Sequence, residues 1–274
     1  MLSPQGKMLI GFLCGFLALI FLISWFYRLL ADPVYINYDY DAPDPLSELN
    51  ASPYRDENFT SSGQYLYYED ETYTSLQGID VSSHNGEIDW QQVKAEGIDF
   101  VFLRVGYRTY LYGEIHEDER FEEYYEGARK AGLQIGVYFF SQAVSEEEAM
   151  EEAFFTLEHI RHKQIDLPVA YDMEDIDYDD SRIDHVDFDL RTEAALAFCE
   201  KIRENGRVPL IYGNLYWLSE VYDPSLILHY PLWYAHYTDR PDYPYEYRFW
   251  QYSDAGEVPG IPEATDLDIW FVKK

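Results

Sequence analysis

Apolar and polar positions divide the chain into three textures. From Met8 to Tyr27 twenty consecutive residues carry no charge, and Ser24 is the one clearly polar side chain among them. As a helix this run is roughly 30 Å long, the thickness of a bilayer's hydrocarbon core. Trp25 and Tyr27 stand where interfacial aromatics belong, with Lys7 and Arg28 bracketing the run. The pattern predicts a transmembrane signal anchor over residues 1–30. A cleaved signal peptide fits less well, because Leu29-Leu30-Ala31 is a poor cleavage site. In the second texture, residues 31–77, Pro33, Pro43, Pro45 and Pro53 interrupt any helical or strand period, which predicts a stalk or linker. Tyr65, Tyr67, Tyr68 and Tyr73 near its end suggest that the last part docks on the domain beyond it.

The third texture, residues 78–274, alternates short apolar runs with amphipathic ones. Residues 78–82, 99–106, 134–141, 167–174, 208–213, 231–237, 247–253 and 265–270 read as strands bounded by turn signals. Residues 88–97, 118–132, 145–163 and 188–206 read as helices. Ser145 with Glu148 forms a capping-box signature, and Gly97, Gly132 and Gly206 sit as C-caps. Eight strands alternating with helices predict an α/β fold, a compact (β/α) barrel. The connections Ser219–Pro231 and Thr238–Tyr247 are short and Pro-bearing, so the barrel is expected to be irregular, with reduced helices in its second half.

Charge sharpens this picture. The chain holds 20 Lys and Arg against 51 Asp and Glu, a formal net charge of −31, and residues 78–274 account for −24 of it. A surface so acidic repels phosphate backbones and excludes nucleic acid as a partner. Hydrophobic residues at 47% exclude global disorder, and the 27 tyrosines supply flat faces with hydroxyls suited to sugar rings as well as to packing. Cys14 falls in the apolar run and Cys199 on the apolar stripe of a helix, so neither a disulfide framework nor a thiolate metal site is expected. Acidic residues dominate residues 32–77, which favours a short cytoplasmic N-terminus and a domain outside the membrane.

In a β/α barrel the chemistry sits at the C-terminal ends of the strands. Acidic residues recur there: Asp80, Asp172 with Glu174, and Asp266 with Asp268. Asp172 and Glu174 are two positions apart at the end of an otherwise apolar strand, so they share one face. Like charges so placed cannot both ionise freely, and one must hold its proton more tightly. A protonated carboxyl beside charged carboxylates is what glycosidic-bond hydrolysis requires. Asp80 and Asp266 admit two readings, site carboxylates or caps of the adjoining turns. Asp175, Asp177, Asp179 and Asp180 read as a solvated loop. Asp80, His84, Asp172, Glu174 and Asp268 could in principle ligate a divalent ion, but no HExxH or HxH occurs, and His84 reads as a hydrogen-bonding turn residue. Neither GxSxG nor a phosphate-cradling glycine loop occurs.

The ordered set GIDVSSHNGEIDW, FVFLRVGY, GVYFFSQA, PVAYDMED, PLIYGN, LWYAHY, WQYSDAGEVPGI and TDLDIW resembles the family-25 glycoside hydrolases, lysozyme-type muramidases, from Gln77 to about Phe271. The resemblance implies hydrolysis of the β-1,4 bond between N-acetylmuramic acid and N-acetylglucosamine in peptidoglycan strands, without metal or cofactor. Carried over by motif, Glu174 takes the general-acid position and Asp172 the paired carboxylate, while Asp80 and Asp266 match the aspartates of the opening and closing strands. Retention through the substrate's own acetamido group is the mechanism it favours. Candidates for stacking on sugar rings are Tyr107, Tyr138, Tyr212, Trp233, Tyr237 and Trp250, with Gln251 and Asp268 completing the substrate-binding set. Two positions depart from the family pattern: Phe139 stands where His is common, and Asp268 where Asn is usual. Both departures are expected to bear on substrate preference or optimum pH. The alternatives are a catalytically silent glycan-binding module tethering wall to membrane, a hydrolase of another polysaccharide, and a metal-dependent deacetylase.

Overall fold

The computed structural model of the protein describes residues 50–176 and 181–274. The anchor expected at residues 1–30 lies outside the described residues; among those described, no helix is long and apolar enough to cross a membrane. Part of the stretch read as linker is ordered structure. Strands β1 (Phe59–Ser62) and β2 (Tyr65–Tyr68) form an antiparallel hairpin. Its turn uses Gly63 at φ +63°, in the left-handed region that favours glycine. Phe59, Leu66 and Tyr68 are buried, and Tyr54 stacks on Phe271 at 3.7 Å between ring centroids. These aromatics give the segment the apolar area that its prolines and serines lack.

Strand β3 (Tyr73–Val81) opens the barrel. It is followed by α1 (Trp90–Ala95), β4 (Phe100–Arg108), the short β5 (Ile115–Glu117), α2 (Phe121–Ala131), β6 (Gln134–Ser141), α3 (Glu146–Ile160) and β7 (Val169–Met173). Then come α4 (Phe188–Glu204), β8 (Pro209–Asn214), the four-residue α5 (Pro224–Ile227), β9 (Leu232–Ala235), β10 (Phe249–Gly256) and β11 (Thr265–Lys273). Of the expected capping box, Ser145 Oγ accepts from the Glu148 N–H at 3.3 Å while the Glu148 carboxylate accepts from the Val144 N–H at 3.0 Å instead of the Ser145 N–H, and Gly97, Gly132 and Gly206 all have the positive φ expected of them. Cys199 is buried in α4. The helices shrink in the second half, where the connections are short.

Eight strands close the barrel in the order β3-β11-β10-β9-β8-β7-β6-β4, with β4 pairing back to β3. The closing strand departs from the expected (β/α) pattern, because β11 runs antiparallel to both β10 and β3. The reason is the connection: residues 257–264 hold no helix to carry the chain back, and a direct return makes neighbours antiparallel. The barrel is therefore mixed.

Alternate residues of every strand point inward. Phe100, Phe102, Leu210, Trp233 and Phe249 fill the lower interior as one buried cluster. Two glycines admit these rings. A Cβ at Gly78 would lie 2.1 Å from the Phe100 ring, and one at Gly136 would lie 2.3 Å from Phe102. The barrel is thus plugged by aromatics below and left open to polar groups above, where the candidate site lies.

Candidate active site

The upper interior is a cleft of about 190 Å³. Strands β3 and β7 deliver Asp80 and Asp172 to it, Glu174 stands just past the end of β7, and β11 delivers Asp266. All four candidate carboxylates therefore meet. Asp266 reaches this rim by a route other than the expected one. Since β11 is antiparallel, the rim holds its N-terminal end, and Asp266 faces Asp80 directly across the β3–β11 ladder. Like charges directly opposite repel. Asp268, two residues further along the strand, is carried down into the barrel.

The pocket's electrostatics follow from burial of acids among acids. Burial first, then the charge of Asp266, raises the Glu174 carboxyl from its usual range to about 7. Burial, with Asp254 nearby, raises Asp266 to about 6. Asp172 is pushed well above the ordinary range by burial and by Glu174, with Arg104 opposing. Asp80 is pushed up by burial and by Asp266 and Asp268. Asp172 Oδ1 is buried and meets no hydrogen-bond donor among the described residues. Asp80 does not cap the following turn; Ser82 Oγ does so, accepting from the His84 N–H. Asp80 Oδ2 instead accepts from Gln251 Nε2 at 2.8 Å.

The substrate-binding candidates separate by strand parity. Tyr138, Tyr212, Trp233, Tyr237 and Gln251 line the cleft. The hydroxyls of Tyr212 and Tyr237 donate to Gln251 Oε1 at 2.9 and 3.2 Å, which aims the amide N–H at Asp80. Tyr107 lies in a neighbouring cleft of about 720 Å³ with Ser83, His84 and Tyr110, joined to the first through Arg104 and Phe140. Trp250 is a correction: it points out of the barrel, fully buried, its indole donating to the His236 carbonyl at 3.0 Å and its ring set edge-on to Phe59. Alternation places Gln251 inward and Trp250 outward on the same strand. Asp268 is also fully buried and out of reach of a glycan; its Oδ1 accepts from Trp233 Nε1 at 2.8 Å. Phe139 likewise faces outward, against Phe155 of α3, so its departure from the family pattern does not touch the pocket.

Three contributors escaped the sequence reading. Arg104 lines the cleft, is paired with Asp118 at 2.8 Å and lies 5.1 Å from the Tyr107 ring centroid. A charged residue inside the apolar run of β4 was the signal, the same one that singled out Asp172. Phe140 joins the two clefts. Gln142, fully buried, donates to the Glu174 carbonyl at 3.3 Å and accepts from Ser181 Oγ, so it fixes the backbone beneath the candidate acid. Within the acidic loop, Asp175 is exposed and pairs with Arg191 at 3.4 Å, while Asp177, Asp179 and Asp180 lie outside the described residues. Among the described residues, no three or more His, Cys, Asp or Glu side chains are grouped to hold a metal ion. The arrangement offers a proton-bearing acid near neutrality above several carboxylates, with aromatic walls.

Comparison with known proteins places this geometry. The model of glycosyl hydrolases family 25 matches residues 79–261. The autolytic lysozyme of Clostridium acetobutylicum is 28% identical over 194 residues, which are 70% of this chain and 55% of that protein. In fold, the chain is similar to the modular autolysin LytC of Streptococcus pneumoniae, solved with a synthetic peptidoglycan ligand, at TM-score 0.65 and 23% identity, covering 78% of this chain and 52% of the other. It is also similar to the bacterial lysozyme of Streptomyces coelicolor, at TM-score 0.62 and 24% identity, covering 71% of this chain and 91% of the other. The chain thus spans about half the length of the first two.

Proposed function

The chain belongs to glycosyl hydrolases family 25, and from that membership we propose that it is a muramidase, hydrolysing the β-1,4 bond between N-acetylmuramic acid and N-acetylglucosamine in peptidoglycan. The observation that carries this reading is the meeting of Glu174, held near 7, with three aspartates in one aromatic-walled cleft. At slightly acid pH Glu174 keeps its proton and donates it to the leaving oxygen. The bond breaks with positive charge developing at the sugar's anomeric carbon. Negative charge among Asp172, Asp80 and Asp266 stabilises that charge and orients the substrate's acetamido group, whose carbonyl oxygen bonds to the anomeric carbon as the leaving oxygen departs; water then displaces that oxygen while the Glu174 carboxylate takes the water's proton, giving retention. Tyr138, Tyr212 and Tyr237 supply faces for the sugar rings.

The apolar run Met8–Tyr27 supports a single membrane anchor with the barrel outside, facing the cell wall. The charge of residues 78–274 fits a sugar substrate rather than a polyanion.

Mass spectrometry of peptidoglycan incubated with the protein tests the reading. Muropeptides with new muramic-acid reducing ends are expected. Binding to the wall with no new ends identifies a silent glycan-binding module, and loss of acetyl groups identifies a deacetylase.

A further inference from the structure

We propose that Asp268 and Asp80 share a single proton in the native protein, with Asp268 as a buried donor that positions the Asp80 carboxylate at the floor of the cleft. The positioning role rests on the hydrolytic reading of that cleft; the shared proton does not.

The geometry begins with an accounting of oxygens. Asp268 is fully buried, and its Oδ1 is satisfied by the Trp233 indole at 2.8 Å. Its Oδ2 is buried and meets no N–H or O–H among the described residues. The carboxyl beside it is that of Asp80, which pairs with Asp266 across the β3–β11 ladder and so stands diagonal to Asp268 on the same inward face. An ionised carboxylate only accepts, so a hydrogen bond between two carboxyls must contain a proton. Gln251 decides where that proton sits. Its Oε1 is occupied by the Tyr212 and Tyr237 hydroxyls, so Nε2 is committed to donating to Asp80 Oδ2. Asp80 thereby has a donor that favours its charge and a 7% exposed edge at the cleft, whereas Asp268 is 0% exposed. Charge is held more cheaply at Asp80, and the proton at Asp268.

The surroundings reinforce the sharing. Asp266 faces the pair from the same strand as Asp268, and Asp172 faces Asp80 from β7. From β10, Tyr252 lies within the field of Asp268. Among the described residues no cation is paired with either carboxyl, since Arg104 is engaged by Asp118. Burial and these neighbouring carboxylates push both Asp80 and Asp268 far above the ordinary range.

The test is infrared spectroscopy of the full-length protein with isotope-labelled aspartate, together with thermal unfolding at several pH values. Wild type at pH 7 is expected to show the carbonyl band of a protonated carboxylic acid, and Asp268→Asn to lose one group's share of it. The native state holds a proton that an unfolded aspartate releases above about pH 4, so wild-type stability falls as pH rises through this window. Asp268→Asn removes that dependence. Its Tm relative to wild type is expected to rise by about 7–15 °C between pH 4 and pH 7. A merely steric role gives a constant offset. Should Asp268→Asn fail to fold, Asp80→Asn replaces the shared proton with an amide donor and loses the same band. An unchanged band in the folded variant overturns the proposal. Neither readout needs catalysis, so an inactive protein with the shared proton would overturn the hydrolytic reading alone.

Discussion

Two acids in this molecule, one buried and one at a cleft, show the same elevated affinity for a proton, yet their surroundings are opposite. Glu152, fully buried on α3, is raised to about 7 by burial even though Arg108 and Ser141 both oppose the shift. Its oxygens are fully engaged, one by Arg108 Nε at 2.6 Å and the other by Ser141 Oγ at 2.6 Å. Glu174 is also held near 7, but it stands among carboxylates, and its neighbour Asp172 keeps a buried oxygen without a donor among the described residues. The position of a titration therefore does not identify a reacting group. The distinction lies in which partners are present: Glu152 has a cation and a hydroxyl, whereas Glu174 faces other carboxylates in a cleft.

The largest effect that should separate the two regions is on stability. Arg108→Met leaves Glu152 without its cation and is expected to cost about 3–5 kcal/mol in denaturant unfolding. Peptidoglycan hydrolysis per folded molecule should be retained, and its loss in a folded variant would break the comparison. On the other side, Asp172→Asn should leave the fold intact and lower kcat by about 10²–10³, as removal of one preorganised stabilising group does. A wild-type rate from this variant would return Asp172 to the structural class. Smaller again is a gain in stability. Because Glu174 is raised from 4.5 to about 7, the native state keeps a proton that the unfolded chain releases, and stability falls as pH rises through that interval. Glu174→Gln should therefore be more stable than wild type by about 1–2 kcal/mol at pH 7, and no more stable near pH 4. The smallest effect sharpens the site's boundary: Trp250→Phe should cost about 1–2 kcal/mol with kcat/KM unchanged, because its indole packs outside the barrel.

The contrast between regions also marks how far the sequence could be read. Asp172 and Glu174 were legible because carboxylates at the end of an apolar strand violate its pattern. The eight strands and the shrinking helices of the second half were legible from periodicity and connection length. The depth of Asp266 against Asp268 was not. It depends on which way β11 runs, a matter of how β10 returns to β3 rather than of any residue in the strand. Nor could parity separate Trp250 from Gln251, since β10 is buried on both faces: the barrel interior covers one, and the Phe59–Tyr68 segment covers the other. That the end of this stretch docks on the domain was legible from its tyrosines, and Tyr68 does pack against Phe59 and Phe271; its hairpin was not, because Ser61, Ser62 and Gly63 break the apolar pattern. Arg104 shows a rule applied to one sign of charge only.

The central claim is that Glu174 supplies the proton for glycosidic cleavage. Its most direct test is the rate of new muramic-acid reducing ends from peptidoglycan, measured across pH 4–9 for wild type and Glu174→Gln side by side. The wild-type rate should fall as pH rises through about 7, where Glu174 loses its proton. Glu174→Gln should be slower by about 10²–10⁴ below that point and should lack the limb. A Glu174→Gln protein that releases the same ends at the wild-type rate, with the same pH dependence, would contradict the account.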